Sequence, residues 1–364
     1  MGVFFFATAV SLGTEYNMKN TNREELLSKL ELVQPGLATR ETIEQSGCFV
    51  FRDGCVHTYN EEIACRMLCD IDLVGAVSAQ PLLDILRKLT EETIEIGVDA
   101  SKEGYLIIRG KRKEAGIVCE SVVNLPIESV EKPEKWRPLP ASFLEAINLV
   151  QHCASSDDSK FKLTCIHVHP KYLESCDNVQ AMRVRLDTGF SKPVLMRRDS
   201  VKHLVLLGVV SVSETDSWVH FQTTSGLIFS CRRFVEDFYP LDKVFGVTGA
   251  KVVLPKGLSE ASEKAAIFTR DDVGDKNMSV SLKRGHVRIE GTGAMGYYTE
   301  RRKLKYSGPE MSFNIAPAML TDISTKYREA EVATDKLIVR GGKWIYVSVL
   351  STRKRVKPTP EQAS

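Results

Sequence analysis

Apolar positions recur at helical spacing in six short stretches, and the six fall into three pairs. The first member of each pair is predicted at 24–33, 141–150 and 258–268. The second follows roughly fifty-five residues later, at 81–89, 199–207 and 316–324. Leu26, Leu27, Leu30 and Val33 make one apolar stripe, with Arg23 and Lys29 off it. Phe143, Leu144, Ile147 and Val150 repeat that stripe 117 residues on; Leu258, Ala261, Ala265 and Ile267 form a poorer third copy. Each third of the chain closes on two strand-like runs: 105–108 with 116–119, 218–222 with 227–232, and 336–340 with 344–350. A period of about 115–118 residues exceeds that of a solenoid unit, so each repeat is expected to be a small domain with its own core. The expected division is an extension at 1–17, domains at 18–134, 135–247 and 248–351, and a flexible basic tail at 352–364. Repetition on this scale builds a shape, which points to binding.

The second helix of each pair carries cations beside its stripe. Arg87 and Lys88 flank Leu82, Leu83, Ile85, Leu86 and Leu89. Arg197, Arg198 and Lys202 flank Val201, Leu204 and Leu207, and Lys326 and Arg328 follow Met319, Leu320 and Ile323. In the first set Lys264 accompanies the third helix. One such helix is an ordinary solvated surface helix; recurrence through the set of six, with 141–150 alone lacking a cation in it or just after it, suggests a shared basic surface.

Composition narrows the classes. The chain has 364 residues, 43% apolar and 26% charged, which is ordinary for a soluble globular protein. A net charge of +2 argues against a strongly basic nucleic-acid binder, though not against one basic face. Nine scattered cysteines, several in apolar runs such as Ser46–Phe51, fit buried thiols in a reducing compartment. The apolar run 3–10 has no preceding cation and is too short to span a bilayer, so neither a signal peptide nor membrane association is expected.

Three motifs bear on catalysis. Gly291-Thr-Gly-Ala-Met-Gly296 has the G-x-G-x-x-G form, but the stretch after it is β-prone and charged rather than an amphipathic helix. A glycine-rich link between strands is therefore expected, not a dinucleotide site. Cys165, His167 and His169 alternate onto one strand face and are metal-ligand types, but no acid or second cysteine completes a familiar zinc site. Gly257-Leu-Ser-Glu-Ala261 misses the nucleophile elbow at its last position. No catalytic residue, cofactor or metal is predicted.

Several segments in order carry a resemblance. Residues 18–33, Ala38–Thr42, Phe49–Gly54, 75–89, Phe238–Val244 and Tyr306–Ile315 resemble the DNA polymerase III beta subunit, the bacterial-type sliding clamp. The likeness spans about 18–351, and it is order and spacing rather than any one piece that carries it. Residues 1–17, the tail after Ser351 and the loop at 292–297 depart from the pattern, as a divergent, phage-carried copy would. The resemblance implies an α+β fold of three repeated clamp domains, each with two helices inside and sheets outside. It implies a homodimeric ring around double-stranded DNA, without sequence preference, acting in the cytoplasm as a processivity factor and not as an enzyme. The competing class is a three-domain β-rich structural or adhesin subunit that binds no DNA.

Site residues follow from the same resemblance. Arg40, Arg87, Arg197, Arg198, Lys202, Lys264 and Lys326 are expected at duplex DNA, and Lys160, Phe161 and Lys162 at single-stranded template. Gln80 stands where an arginine is expected. Polymerase and clamp loader would dock short linear peptides in a cleft formed by Leu163, the loop Cys176, Asp177, Asn178, Val179, Gln180 and Ala181, then Pro240, Val244, Val347, Val349 and Ser351. The dimer contact would join Ile267 and Phe268, at a helix end, to Ile117 and Cys119 of the other copy.

Overall fold

The structure, a computed structural model, describes residues 17–69, 71–98, 102, 104–271, 274–275, 278–333 and 335–350. Residues 1–16, Ser351 and the tail at 352–364 lie outside them.

The first repeat runs β1 (Asn17–Asn22), α1 (Arg23–Val33), β2 (Cys48–Arg52), β3 (Cys55–Tyr59), β4 (Ile63–Leu68), β5 (Gly75–Ser78), α2 (Ala79–Lys88), β6 (Thr93–Val98), β7 (Tyr105–Arg109) and β8 (Glu114–Glu120). The second runs β9 (Arg137–Pro138), α3 (Phe143–Val150), β10 (Cys165–His169), β11 (Tyr172–Cys176), β12 (Gln180–Arg185), β13 (Val194–Arg197), α4 (Arg198–Leu207), β14 (Ser211–Glu214), β15 (Trp218–Gln222) and β16 (Ile228–Arg232). A connector with the single turn α5 (Asp242–Phe245) follows. The third repeat holds β17 (Ala250–Val253), α6 (Leu258–Ala266), β18 (Arg270–Asp271), β19 (Gly274–Asp275), β20 (Met278–Lys283), β21 (His286–Gly293) and β22 (Gly296–Lys303). It ends with β23 (Met311–Ile315), α7 (Pro317–Lys326), β24 (Glu329–Val332), β25 (Lys336–Arg340) and β26 (Trp344–Val349).

All six expected helices are present, and local chemistry fixes their ends. Asn22 caps α1, its Oδ1 accepting from the Glu25 amide at 3.0 Å. Pro317 sits in the first turn of α7, where its missing N–H costs nothing. Helix α6 stops at Ala266, so Ile267 and Phe268 lie in the turn after it. The Gly291–Gly296 motif forms the end of β21 and the start of β22, a hairpin with no following helix. Gly291 serves packing there: a Cβ would come within 2.3 Å of the Ala265 carbonyl of α6.

One pairing rule generates the sheets. In each repeat the first strand joins the three strands after the second helix, giving β1-β6-β7-β8, β9-β14-β15-β16 and β17-β24-β25-β26. The remaining four give β5-β2-β3-β4, β13-β10-β11-β12 and β23-β20-β21-β22. Repeats are joined by the last strands of successive half-sheets: β4 with β16, and β12 with β26. In the third repeat the corresponding strand is β22, which has β21 on one edge and no strand on the other among the described residues. In the first repeat it is β8, where only Cys119 and Glu120 reach β5.

The chain divides into two compact units. One comprises the described residues up to Leu144 with Asp199–Phe234 and holds the twelve-stranded sheet. Its core includes Leu26, Leu30, Phe49, Phe51, Leu82 and Leu86, with α1 packed on α2. The other comprises Glu145–Arg198 with the residues from Val235 onward, and holds the eight-, four- and two-stranded sheets. Its core includes Ile166, Leu173, Leu195, Met278, Ile289 and Ile338, with α6 packed on α7. Among the described residues no helix is long and apolar enough to cross a membrane.

Candidate partner groove and nucleic-acid interface

Where β12 pairs with β26, Ala181 lies opposite Val347. The connector lays Leu241 and Phe245 against them, and with Leu163, Cys176 and Ile338 they form a buried apolar cluster. Above it opens a groove of about 450 Å³. Leu163, Cys176, Ala181, Leu241, Val244, Val347 and Val349 form its apolar lining, and Lys160, Asp177, Asn178, Gln180 and Tyr239 its rim. Such a surface suits a short peptide with apolar anchors.

The structure thus brings together most of the residues assigned to a peptide cleft; two of them do not line it. Pro240 is exposed and does not line the groove, whereas its neighbours do, Leu241 in the lining and Tyr239 on the rim. Val179 sits at the exposed tip of the β11–β12 turn and does not line the groove. Ser351 lies outside the described residues. Lys160, expected at template DNA, stands on the groove rim. Alternation through Tyr239-Pro-Leu241 was the available signal, since it sets the two neighbours on one side of the connector and the proline on the other.

The rim is held by its own hydrogen bonds. Asp177 Oδ1 accepts from the amides of Val179 at 2.7 Å and Gln180 at 2.8 Å, closing the turn. Gln180 Nε2 donates to the His152 carbonyl at 3.2 Å and to Asp177 at 3.1 Å. Burial pushes the Cys176 thiol up to about 12, so it is a neutral apolar wall.

The corresponding place in the first repeat is closed. Tyr59 ends β3 as Cys176 ends β11, and its ring lies 6.1 Å from that of Trp218. With Val50, Ala64 and Leu125 these two large side chains fill the cluster that a cysteine leaves open in the second repeat.

The expected DNA-contacting cations divide into two groups. Arg87 pairs with Glu31 at 2.8 Å, Lys202 with Asp199 at 3.1 Å and Lys326 with Asp322 at 2.7 Å. Arg197 pairs with Asp158, and its guanidinium stands 6.0 Å from the Phe161 ring. Arg198 donates to the Ala154 carbonyl at 3.1 Å. Lys162 reaches the Asp237 carbonyl at 3.0 Å and Glu236 at 3.5 Å. Arg40, Lys160 and Lys264 are exposed, with no carboxylate at ion-pair distance among the described residues. Taken together the six repeat helices carry at least as many Asp and Glu as Lys and Arg, so the helices alone do not make a basic face.

The strand face of Cys165, His167 and His169 is committed elsewhere. His167 Nδ1 is 2.7 Å from Glu174 Oε1, His169 stacks on Tyr172 at 4.2 Å, and the Cys165 thiol donates to the Phe161 carbonyl at 3.4 Å. Among the described residues no group of three or more His, Cys, Asp or Glu is placed to hold a metal. Ile117 and Cys119 lie half-buried on β8. Ile267 is 65% exposed, and Phe268 is half-buried near the turn of the β21–β22 hairpin. None of the four is deep core.

No family model and no curated protein matches the sequence. Solved structures do match its fold. A sliding clamp, DNA polymerase III subunit beta, from Bartonella birtlesii bound to griselimycin is 16% identical with a TM-score of 0.81. A DNA polymerase sliding clamp from Bacillus subtilis is 14% identical with a TM-score of 0.80. The DNA polymerase III beta subunit of Thermotoga maritima is 14% identical with a TM-score of 0.79. Each comparison covers 92% of this chain and 99% of the other. The chain has the sliding-clamp fold of the DNA polymerase III beta subunits, an α+β fold of three repeated domains.

Proposed function

We propose that this protein is a DNA sliding clamp: two copies close head to tail into a ring around duplex DNA and tether a replicative polymerase. The observation that carries the reading is the pairing rule between repeats, which leaves β22 open along one edge and β8 open ahead of Cys119. Carried to a third joint between two copies, the register of the internal joints sets Tyr298 opposite Gly116 and Tyr297 opposite Ile117. Glu300 then comes opposite Glu114, each already holding its own cation, Arg302 and Arg109. Two such joints close a ring and pair the strand edge that each repeat turns to its neighbour.

Such a ring makes sense of the near-neutral charge. Retention comes from topology, so phosphate contacts need only be weak, many and indifferent to sequence. In this reading the protein works in the cytoplasm and performs no chemistry of its own. Polymerase and clamp loader engage the groove over Ala181 and Val347 through short linear peptides.

Light scattering and DNA retention test the proposal together. A dimer that stays on closed circular DNA and runs off the same DNA once linearised is expected. Monomers at micromolar concentration, or equal loss from both DNA forms, would overturn it.

A further inference from the structure

The two joints between repeats differ at one matched position. At the first joint Arg66 of β4 lies opposite Ile228 of β16 and His57 of β3. At the second Arg183 of β12 lies opposite Ile345 of β26 and Glu174 of β11. The two arginines are therefore counterparts, and their surroundings have diverged.

Arg183 is saturated. Its Nη2 meets Glu174 Oε2 at 2.6 Å and its Nη1 meets Asp242 Oδ1 at 2.6 Å. Its guanidinium lies 4.8 Å from the centre of the Phe245 ring. Asp242 and Phe245 are one turn apart on α5, so a carboxylate and an aromatic ring arrive together on a single helical turn.

Arg66 has none of this. Among the described residues no carboxylate is at ion-pair distance from it, and its side chain is exposed. His57 replaces the glutamate; burial first, and Arg66 second, lower its pKa to about 4, so it is a neutral imidazole at pH 7. The connector supplies Glu128 on this side, but that carboxylate is spent on Arg52 at 2.9 Å. What remains is a groove of about 370 Å³ in which Arg66 and Lys132 stand with Ile127, Val130 and Ile228. Its other two carboxylates are also engaged, Asp53 by Arg52 at 3.9 Å and Glu131 by the Ser217 amide at 2.9 Å. The second joint supplies the template for what fits there.

We infer that the Arg66 groove docks an acidic–aromatic turn of a partner protein, of the form Asp-x-x-Phe, as α5 docks on Arg183 within the chain. The partner carboxylate takes the Arg66 fork with Lys132 beside it, and the ring covers Ile127, Val130 and Ile228. This site is separate from the groove over Val347 and does not depend on ring closure.

The test uses the full chain and a fluorescein-labelled peptide with the sequence of residues 240–247, Pro-Leu-Asp-Lys-Val-Phe-Gly-Val, read by anisotropy. Saturable binding is expected to wild type and to Val349→Asp, which spoils the other groove. Binding should weaken about tenfold or more in Arg66→Gln, and likewise when the peptide aspartate becomes asparagine. Arg66→Lys keeps the charge without the fork and should fall between. Arg66 is exposed, so these variants fold, and circular dichroism verifies it. Equal binding to Arg66→Gln, loss in Val349→Asp, or no saturable binding overturns the inference. Displacement by inorganic pyrophosphate as effective as by unlabelled peptide would also overturn it, by marking a simple anion site.

Discussion

Tyr346 donates its hydroxyl to Gln180 Oε1 at 3.0 Å, tying the β11–β12 turn to the strand that forms the groove floor. The tyrosine is buried, and burial holds its pKa well above the ordinary value, so it stays a neutral donor. Tyr346→Phe removes that tie and leaves the Gln180 side chain held only from His152 and Asp177. The variant should lose about 1 kcal/mol of stability and bind groove peptides several-fold more weakly. Thermal denaturation and peptide titration measure the two effects separately; unchanged peptide affinity would detach the turn from recognition.

Groove floor and groove rim should respond differently to charge. Val347 is 1% exposed, so Val347→Asp buries a carboxylate in an apolar cluster and should cost about 3–5 kcal/mol, unfolding part of the population. Val349 is 46% exposed and lines the same groove. Val349→Asp should keep the fold and the oligomeric state while abolishing polymerase stimulation. Circular dichroism, size-exclusion chromatography and a primer-extension assay separate the two variants.

Much of this architecture is legible in the sequence because apolar periodicity repeats with a fixed offset. The stripe Leu26, Leu30, Val33 is buried as a helix face should be, and Trp218 and Phe221 fall on the strand expected for them. What was not legible depends on neighbours distant in sequence. The cations of the second helices read as a shared basic face, yet Glu31 sits 56 residues from Arg87, and Asp158 lies 39 residues from Arg197. A stripe pattern cannot see such partners. Pro240 and Tyr239 exchanged roles for a similar reason: which side of a loop faces a groove is set by what it packs against.

The strand-edge joint gives a third prediction. Ile267 and Phe268 lie beside the β21–β22 hairpin with their surfaces at least partly open. Phe268→Glu should fold and raise the dimer dissociation constant by about a hundredfold, roughly 3 kcal/mol. A variant that is folded and dimeric at wild-type concentrations would remove Phe268 from the joint.

Acid should destabilise the first unit. Burial lowers His57 and His220 from an ordinary 6.5 to about 4. Hydrogen bonds to Ser230 at 2.8 Å and Thr215 at 3.1 Å also engage the His220 ring. A folded pKa below the unfolded one means that the unfolded chain takes up the proton first. Stability is therefore full above about pH 6.5 and falls as pH drops toward 4, by at most on the order of 3 kcal/mol for each histidine. Denaturant titrations at pH 7.5 and pH 5 should show the loss, and His57→Gln should shrink it. A stability that is flat across this window would rule out the assignment.

DNA contact should depend on which cations are already paired. Arg197 and Lys202 must leave Asp158 and Asp199 to meet phosphate, so each releases little counterion on binding. Arg40, Lys160 and Lys264 hold no carboxylate at ion-pair distance among the described residues, although Glu300 lies near Lys264 and Asp157 near Lys160. Each phosphate contact contributes about 0.9 to the slope of log affinity against log salt. Substituting Arg40, Lys160 and Lys264 with glutamine should therefore flatten that slope by about two to three units. Arg197→Gln with Lys202→Gln should flatten it by less than one. Anisotropy on a short duplex between 50 and 200 mM salt is the range over which phosphate contacts act most steeply. The reverse order of effects would mean that the ion pairs open on DNA, and that the paired cations rather than the unpaired ones carry the contact.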